Sequence, residues 1–295
     1  MRRMDTRRRF GMAACVFLAT SGVRRVWAAE DRLEDIGPAL SALEPRCGGR
    51  LGVGIIDTES GRTFGHRMDE RFPMCSAHKA LSAAAILSRV DAGQERLDRR
   101  VHFDANTVID YSPVTKMHAG ADGMTLAAIC EAAITLSDNT AANLLFAALG
   151  GPAGVTAFLR GLGDGDTRLD RTEPTLNEAL PGDPRDTTTP GAMARMLQRL
   201  VLGDALLPGS RAQLVDWLVA GRTGAARLRA GVPAGWRVGE KTGTNDHGTA
   251  NDVGVLWPPG RAPLVVTVFV TASAASLEAQ NAAIAGVARL VAEHV

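Results

Sequence analysis

The sequence predicts an α/β fold carrying an all-α insertion: an antiparallel five-stranded sheet flanked by N- and C-terminal helices, interrupted by a block of helices. Three observations predict it. Strand-like residues lie near both ends, at 50–57 and 63–66 and again at 236–241, 251–257 and 263–270. Between them, residues 76–202 show helical periodicity without strand alternation. An Ala-rich helical tail, 277–292, closes the chain. One sheet drawing strands from both ends is the economical way to bury them. At 295 residues the chain can hold one large or two closely joined domains. The boundaries read as 29–68 with 219–295 for the α/β part and 69–218 for the helical part.

In order, residues 1–28 form an export signal. Arg7-Arg8-Arg9-Phe10 opens it, residues 11–23 are its short apolar stretch, and Val26-Trp27-Ala28 is a small-residue cleavage site. The paired arginines before Phe10 fit a twin-arginine signal, with a general secretory signal as the alternative. The apolar run is too short for a membrane anchor, so cleavage near Ala28 leaves a periplasmic protein with no stable membrane association. A weakly amphipathic helix spans 35–43. Residues 50–57 and 63–66 form a hairpin about a Ser60-Gly61 turn, and Gly52 and Gly54 suit close packing of a helix on the sheet. Helical segments follow at 76–91, 125–136, 140–149, 153–162 and 190–202. A polar loop without regular period occupies roughly 168–186.

Composition excludes several function classes. With 45% hydrophobic and 22% charged residues the chain reads as a soluble globular protein. The net charge of +1 makes no case for nucleic acid. The signal holds seven arginines and one aspartate, so the remainder has 26 basic and 31 acidic residues and is mildly acidic. Cys47, Cys75 and Cys130 are odd in number and loosely spaced, which fits buried thiols better than a disulfide framework or a zinc site. No metal and no cofactor is expected.

The chemistry centres on Ser76-Ala77-His78-Lys79 at the start of the first buried helix. Ser76 and Lys79 stand one turn apart on one face. The hydroxyl therefore has an amine within reach and free helix-start N–H groups beside it, the needs of an activated serine nucleophile. Taken alone, Ser-x-x-Lys is common. Lysine usage sharpens it: of 33 basic residues only Lys79, Lys116 and Lys241 are lysines. A desolvated lysine gives up its proton near neutral pH and an arginine does not. Lys116, in a polar loop, reads as a solvated charge. Ser137-Asp138-Asn139 falls between two helices, where capping competes with catalysis as the explanation. Lys241-Thr242-Gly243-Thr244 ends a strand, suited to a ligand carboxylate but also to a guarded sheet edge. Glu173-Pro174-Thr175-Leu176-Asn177 places a carboxylate and an amide where they can hold one water, or simply forms a turn.

Together, Ser-x-x-Lys, Ser-Asp-Asn, Glu-x-x-Leu-Asn and Lys-Thr-Gly, in that order along the chain and at the junctions between segments, resemble the motif set of the class A serine β-lactamases. The likeness spans roughly 35–294 and includes Tyr111-Ser112-Pro113-Val114, Arg168-Leu169-Asp170-Arg171 and Asp186-Thr187-Thr188-Thr189-Pro190. It implies hydrolysis of the amide of penicillins and cephalosporins by a monomer with its active site between the two parts of the fold, conferring antibiotic resistance. On this resemblance Ser76 is the nucleophile, Lys79 and Glu173 are the candidate bases, and Glu173 with Asn177 holds the deacylating water. Ser137 relays a proton to the leaving nitrogen. Asn139 holds the substrate amide, the backbone N–H groups of Ser76 and Thr244 form the oxyanion hole, and Tyr111 walls the entrance. Lys241, Thr242, Gly243 and Thr244 take the substrate carboxylate. Arg171 and Asp186 pair at the neck of the loop, and the Glu173–Pro174 bond is cis.

Three departures stand out. No arginine follows in the last strands to reach the carboxylate, so Arg227 is assigned that role. Ala77-His78 replaces the Thr and apolar or aromatic residue of relatives, and His78 reads as a core histidine. Cys75 has no partner just beyond Thr244, where Asn245 stands. Two rivals share Ser-x-x-Lys and Lys-Thr-Gly: a D-alanyl-D-alanine carboxypeptidase, and a sensor that is acylated but does not hydrolyse. The Glu173–Asn177 pair separates this chain from the first, and the lack of an anchor or signalling domain from the second.

Overall fold

The computed structural model describes residues 36–120 and 122–295, so the export signal lies outside the described residues. Two short helices, Ile36–Ser41 (α1) and Glu44–Cys47 (α2), lead into strands Arg50–Asp57 (β1) and Thr63–His66 (β2). A two-residue strand, Phe72–Pro73 (β3), and a 3-10 turn, Cys75–Ala77, deliver the chain to helix His78–Asp91 (α3). Strands Arg100–Val101 (β4) and Met124–Thr125 (β5) pair with each other and flank a loop. Helices Leu126–Thr135 (α4), Asn139–Leu149 (α5) and Pro152–Gly161 (α6) follow. After the long loop, Thr187–Thr188 (β6) pairs with β3, and Pro190–Leu197 (α7) runs into a π-helical turn at Gln198–Leu202. Helices Pro208–Val219 (α8) and Leu228–Gly231 (α9) precede strands Arg237–Asn245 (β7), Thr249–Trp257 (β8) and Leu264–Thr271 (β9). Helix Leu277–Glu293 (α10) ends the chain.

The main sheet has the order β2-β1-β9-β8-β7 with every neighbouring pair antiparallel, so strands from the two ends interleave through β1 and β9. Both its faces are covered. Leu51, Val53, Ile55, Val266, Val268 and Val270 pack with α1 and α10, while Val253, Val255, Val265 and Phe269 face the helical block. That split by alternate residues is the two-residue period of a strand made visible. Gly54 has the expected reason: a Cβ there would meet the Pro190 carbonyl oxygen at 2.6 Å, where α7 rests on the sheet.

Two sequence expectations need correction. Residues 208–219 form a helix to which the periodicity reading assigned no element. Proline is well tolerated in the first helical turn, where its missing N–H has no partner to lose, and Leu214, Trp217 and Leu218 give the buried face. The stretch 76–202 also holds strands β4, β5 and β6. At two residues each they are too short to show alternation.

Candidate active site

The nucleophile turn is built by strain and close approach. Cys75 and Ser137 hold left-handed φ values of 43° and 59°, and Tyr111 one of 59°. Such backbone costs a non-glycine residue about 1–2 kcal/mol and persists only where surroundings enforce it. Here they do. Asn251 on β8 donates from Nδ2 to the carbonyls of Pro73 and Met74 at 2.8 and 3.0 Å. Strand β7 reaches the turn only because residue 243 is glycine: a Cβ there would lie 2.4 Å from the Met74 carbonyl oxygen. The start of α3 thus lies directly against the Lys241-Thr242-Gly243-Thr244 strand.

Lys79 and Lys241 converge on one hydroxyl. Ser137 Oγ lies 3.4 Å from Lys79 Nζ and 3.1 Å from Lys241 Nζ. Lys79 Nζ also donates to the Ser137 carbonyl and to Asn139 Oδ1, both at 2.7 Å, and stands 3.1 Å from Glu173 Oε1. Burial pushes the Lys79 amine below its ordinary value, against the pull of Glu173. Burial pushes Lys241 well down too, and the Lys79 charge adds to the effect. Two buried amines, each less ready than usual to hold its proton, face one hydroxyl and are suited to passing a proton through it.

Glu173 is 3% exposed although it stands on a loop. Burial pushes its carboxyl up, but the Lys79 ammonium and His78 outweigh burial and hold it at about 2. Asn177 donates from Nδ2 to Glu173 Oε2. The loop is clamped at several points. Asn143 on α5 accepts from the Glu173 N–H and donates to its carbonyl, both at 2.9 Å. Asn245 at the end of β7 donates to the Asn177 carbonyl at 2.8 Å. At the neck, Asp186 accepts from the N–H groups of Asp170 and Arg171 and from Arg171 Nε at 2.6 Å. The Glu173–Pro174 bond is cis.

Asp138 reconciles the two readings of its motif. Its Oδ1 caps α5 by accepting from Ala141 N–H at 2.8 Å, and it also accepts from the Thr115 hydroxyl at 2.8 Å. Oδ2 accepts from the N–H groups of Val114 and Thr115, both at 2.9 Å. The cap therefore also holds the Tyr111 loop, leaving Ser137 and Asn139 free to face the cleft.

The cleft encloses about 770 Å³ and is lined by Ser76, Tyr111, Ser137, Asn177, Arg227 and Thr244 among others. Tyr111 is exposed at its rim. Arg227 is only 4% exposed; it donates to the Gly243 and Asn251 carbonyls at 3.0 and 2.7 Å, to Asn281 Oδ1 at 2.7 Å and to Thr244 Oγ1 at 2.7 Å. Thr242 Oγ1 lies 2.6 Å from Thr223 Oγ1. Ser76, Tyr111, Ser137, Asn139, Asn177, Arg227, Thr242 and Thr244 line this cleft, and Lys79, Lys241 and Glu173 join it through their contacts with Ser137 and Asn177. Asn143, Asn245 and Thr223 were missed; Asn143 lies one helix turn after Asn139 and Asn245 directly follows Thr244, an adjacency that signalled them, whereas Thr223 sits in the loop after Val219 with no motif beside it. His78, read as a core histidine, is buried as expected, but its Nε2 stands 3.5 Å from Glu173 Oε1. Among the described residues no three His, Cys, Asp or Glu side chains gather as a metal site.

The family model described as the Beta-lactamase enzyme family matches residues 35–295. Beta-lactamase CTX-M-8 of Citrobacter amalonaticus is 49% identical over 257 residues, covering 87% of this chain and 88% of its own length. Beta-lactamase AST-1 of Nocardia asteroides is 51% identical over 254 residues, covering 86% and 82%. Among solved structures, an ancestral class A β-lactamase superposes with a TM-score of 0.87 at 65% identity, covering 88% of this chain and 99% of its own. The crystal structure of PenP from Rhodopseudomonas palustris gives a TM-score of 0.87 at 60% identity, covering 88% of this chain and 98–99% of its own in the same way. The chain belongs to the beta-lactamase enzyme family, in its class A serine branch.

Proposed function

We propose that this chain hydrolyses the amide bond of β-lactams, penicillins and cephalosporins among them, through an acyl-enzyme on Ser76 and so confers resistance. The observation that carries the reading is the Glu173 carboxylate, held by Asn177 and 3.1 Å from Lys79 Nζ, one helical turn from Ser76. Ser76 Oγ attacks the lactam carbonyl and gives its proton to Lys79 or Glu173, which share it across that contact. The backbone N–H groups of Ser76 and Thr244 stabilise the oxyanion. As the C–N bond breaks, the nitrogen takes a proton from Ser137, which either adjoining amine can replenish. Asn139 holds the substrate's side-chain amide, and the Lys241-Thr242-Gly243-Thr244 strand with Arg227 receives its carboxylate. In the second half, Glu173 takes a proton from the water held with Asn177, the water attacks the ester, and Ser76 Oγ leaves with a proton. The Glu173–Asn177 pair favours this reading over a carboxypeptidase or sensor that stays acylated by penicillins for want of such a pair.

Residues 1–28 read as an export signal, which supports release into the periplasm. No single described helix is long and apolar enough to cross a membrane. The test is turnover of a chromogenic β-lactam by the purified protein. Wild type consumes it catalytically with or without chelator, and Ser76→Ala loses at least about 10^4-fold in kcat/KM. A wild-type protein that stops after one equivalent refutes the reading.

A further inference from the structure

His78 sits in the first turn of α3 with its side chain wholly buried. Its ring stacks on Phe146 of α5, centroids 5.0 Å apart and planes 18° from parallel. Nδ1 lies 3.1 Å from Ser82 Oγ, a hydroxyl placed to donate its one proton either to Nδ1 or to the His78 carbonyl at 3.2 Å. Nε2 has no hydrogen-bond partner, a condition buried polar atoms rarely tolerate. Facing it at 3.5 Å is Glu173 Oε1, which likewise has no hydrogen-bond partner among the described residues and lies 3.1 Å from Lys79 Nζ. An imidazole filling only space needs no second nitrogen aimed at the base of the reaction.

We propose that His78 is a positioning residue for the deacylation base: its Nε2–H, in the tautomer where Ser82 Oγ–H donates to Nδ1, faces Glu173 Oε1 and holds the carboxylate ionised and turned toward Asn177. The inference rests on the hydrolytic reading of this site. A neutral imidazole carries one N–H, so the tautomer decides the sign of the contact. With the proton on Nε2 the contact attracts the carboxylate; with it on Nδ1 a lone pair meets the carboxylate and repels it. The negative charge of Glu173 selects the first, and Ser82 Oγ–H then turns to Nδ1 at 3.1 Å, giving up its 3.2 Å bond to the His78 carbonyl. Burial keeps the ring neutral by pushing its pKa down, against the pull of Glu173. The titratable groups facing Glu173 are Lys79 and His78 from α3, Cys75 from the 3-10 turn, and Lys241 from β7 at longer range; Asp138 acts on Lys79.

The experiment compares wild type, His78→Phe and His78→Gln. The phenylalanine keeps the stack on Phe146 and removes the donor; the glutamine restores a donor. The deacylation rate constant, measured as a function of pH, gives the readout. The acid limb of His78→Phe moves up by about one pH unit, a tenfold change in the ionisation equilibrium, while its rate near neutrality changes little and its thermal midpoint does not fall. His78→Gln moves the limb back. A limb unmoved in His78→Phe, or moved equally in His78→Gln, overturns the proposal. Should either variant fold poorly, 15N NMR of the wild-type imidazole decides. A proton on Nε2 near neutrality supports the contact, and a proton on Nδ1 overturns it. The NMR result does not depend on turnover, so loss of the hydrolytic reading and loss of this one are told apart.

Discussion

Replacing Asp138 by alanine tests how far one carboxylate holds the cleft together. The side chain is fully buried and accepts four hydrogen bonds: from the Val114, Thr115 and Ala141 N–H groups and from the Thr115 hydroxyl. Alanine removes every acceptor and leaves three backbone donors without protein partners. Each orphaned buried donor costs about 1–3 kcal/mol, and loss of a cap about 1 kcal/mol. Relaxation and entering water reduce the sum, so the expected destabilisation is about 4 kcal/mol. For a chain of this size that lowers the thermal midpoint by about 10 °C. Asp138→Asn keeps one acceptor oxygen but turns an amide N–H toward a backbone donor, and costs about half as much. Denaturant unfolding gives the free-energy difference, and a thermal scan gives the midpoint. Because Asp138 lies between Ser137 and Asn139, turnover of Asp138→Ala also falls at least about tenfold at temperatures where it is folded. An Asp138→Ala protein within about 1 kcal/mol of wild type would refute the reasoning, since unmade buried bonds of this kind cannot be that cheap.

Two further predictions follow from the charge arrangement. Arg227→Ala removes the guanidinium behind Thr244, so KM for carboxylate-bearing β-lactams rises about tenfold while kcat changes less; steady-state kinetics with a KM equal to wild type contradicts the assigned role. The Arg67 hydrogen bonds hold Glu44 at about 2 against an ordinary 4.5, with burial opposing and His66 assisting. Since the folded value is the lower, this contribution is complete above 4.5 and is lost as pH falls from there toward 2. Glu44→Gln therefore flattens part of the acid limb of stability, read by denaturant unfolding at a series of pH values; an unchanged limb refutes it.

The fold was legible because its strands carry period-two patterns at the two ends of the chain and its helices fill the middle. What escaped was contact rather than pattern. Pro208 reads as a breaker in isolation and as a first-turn residue only once Leu214, Trp217 and Leu218 have a core to face. The motif serines and lysines were legible since their chemistry is unusual at helix starts and strand ends. Asn143 and Asn245 were not, because an asparagine that clamps a loop looks like any surface amide until the loop lies over it. Asp138 was visible as a cap, yet its hold on Val114 and Thr115 spans 24 and 23 residues. His78 shows the same limit: burial was foreseeable from its helix, but the carboxylate across from it arrives from a loop almost a hundred residues later.

The central claim is that Glu173 drives the second half of the reaction after Ser76 has been acylated. Its most direct test is the intact mass of Glu173→Gln mixed with a penicillin, followed over time beside wild type. The account predicts that the variant gains the mass of one substrate and keeps it, with the adduct mapping to Ser76, while wild type returns to its free mass. A variant that clears its adduct as fast as wild type, or an adduct on another residue, would contradict it.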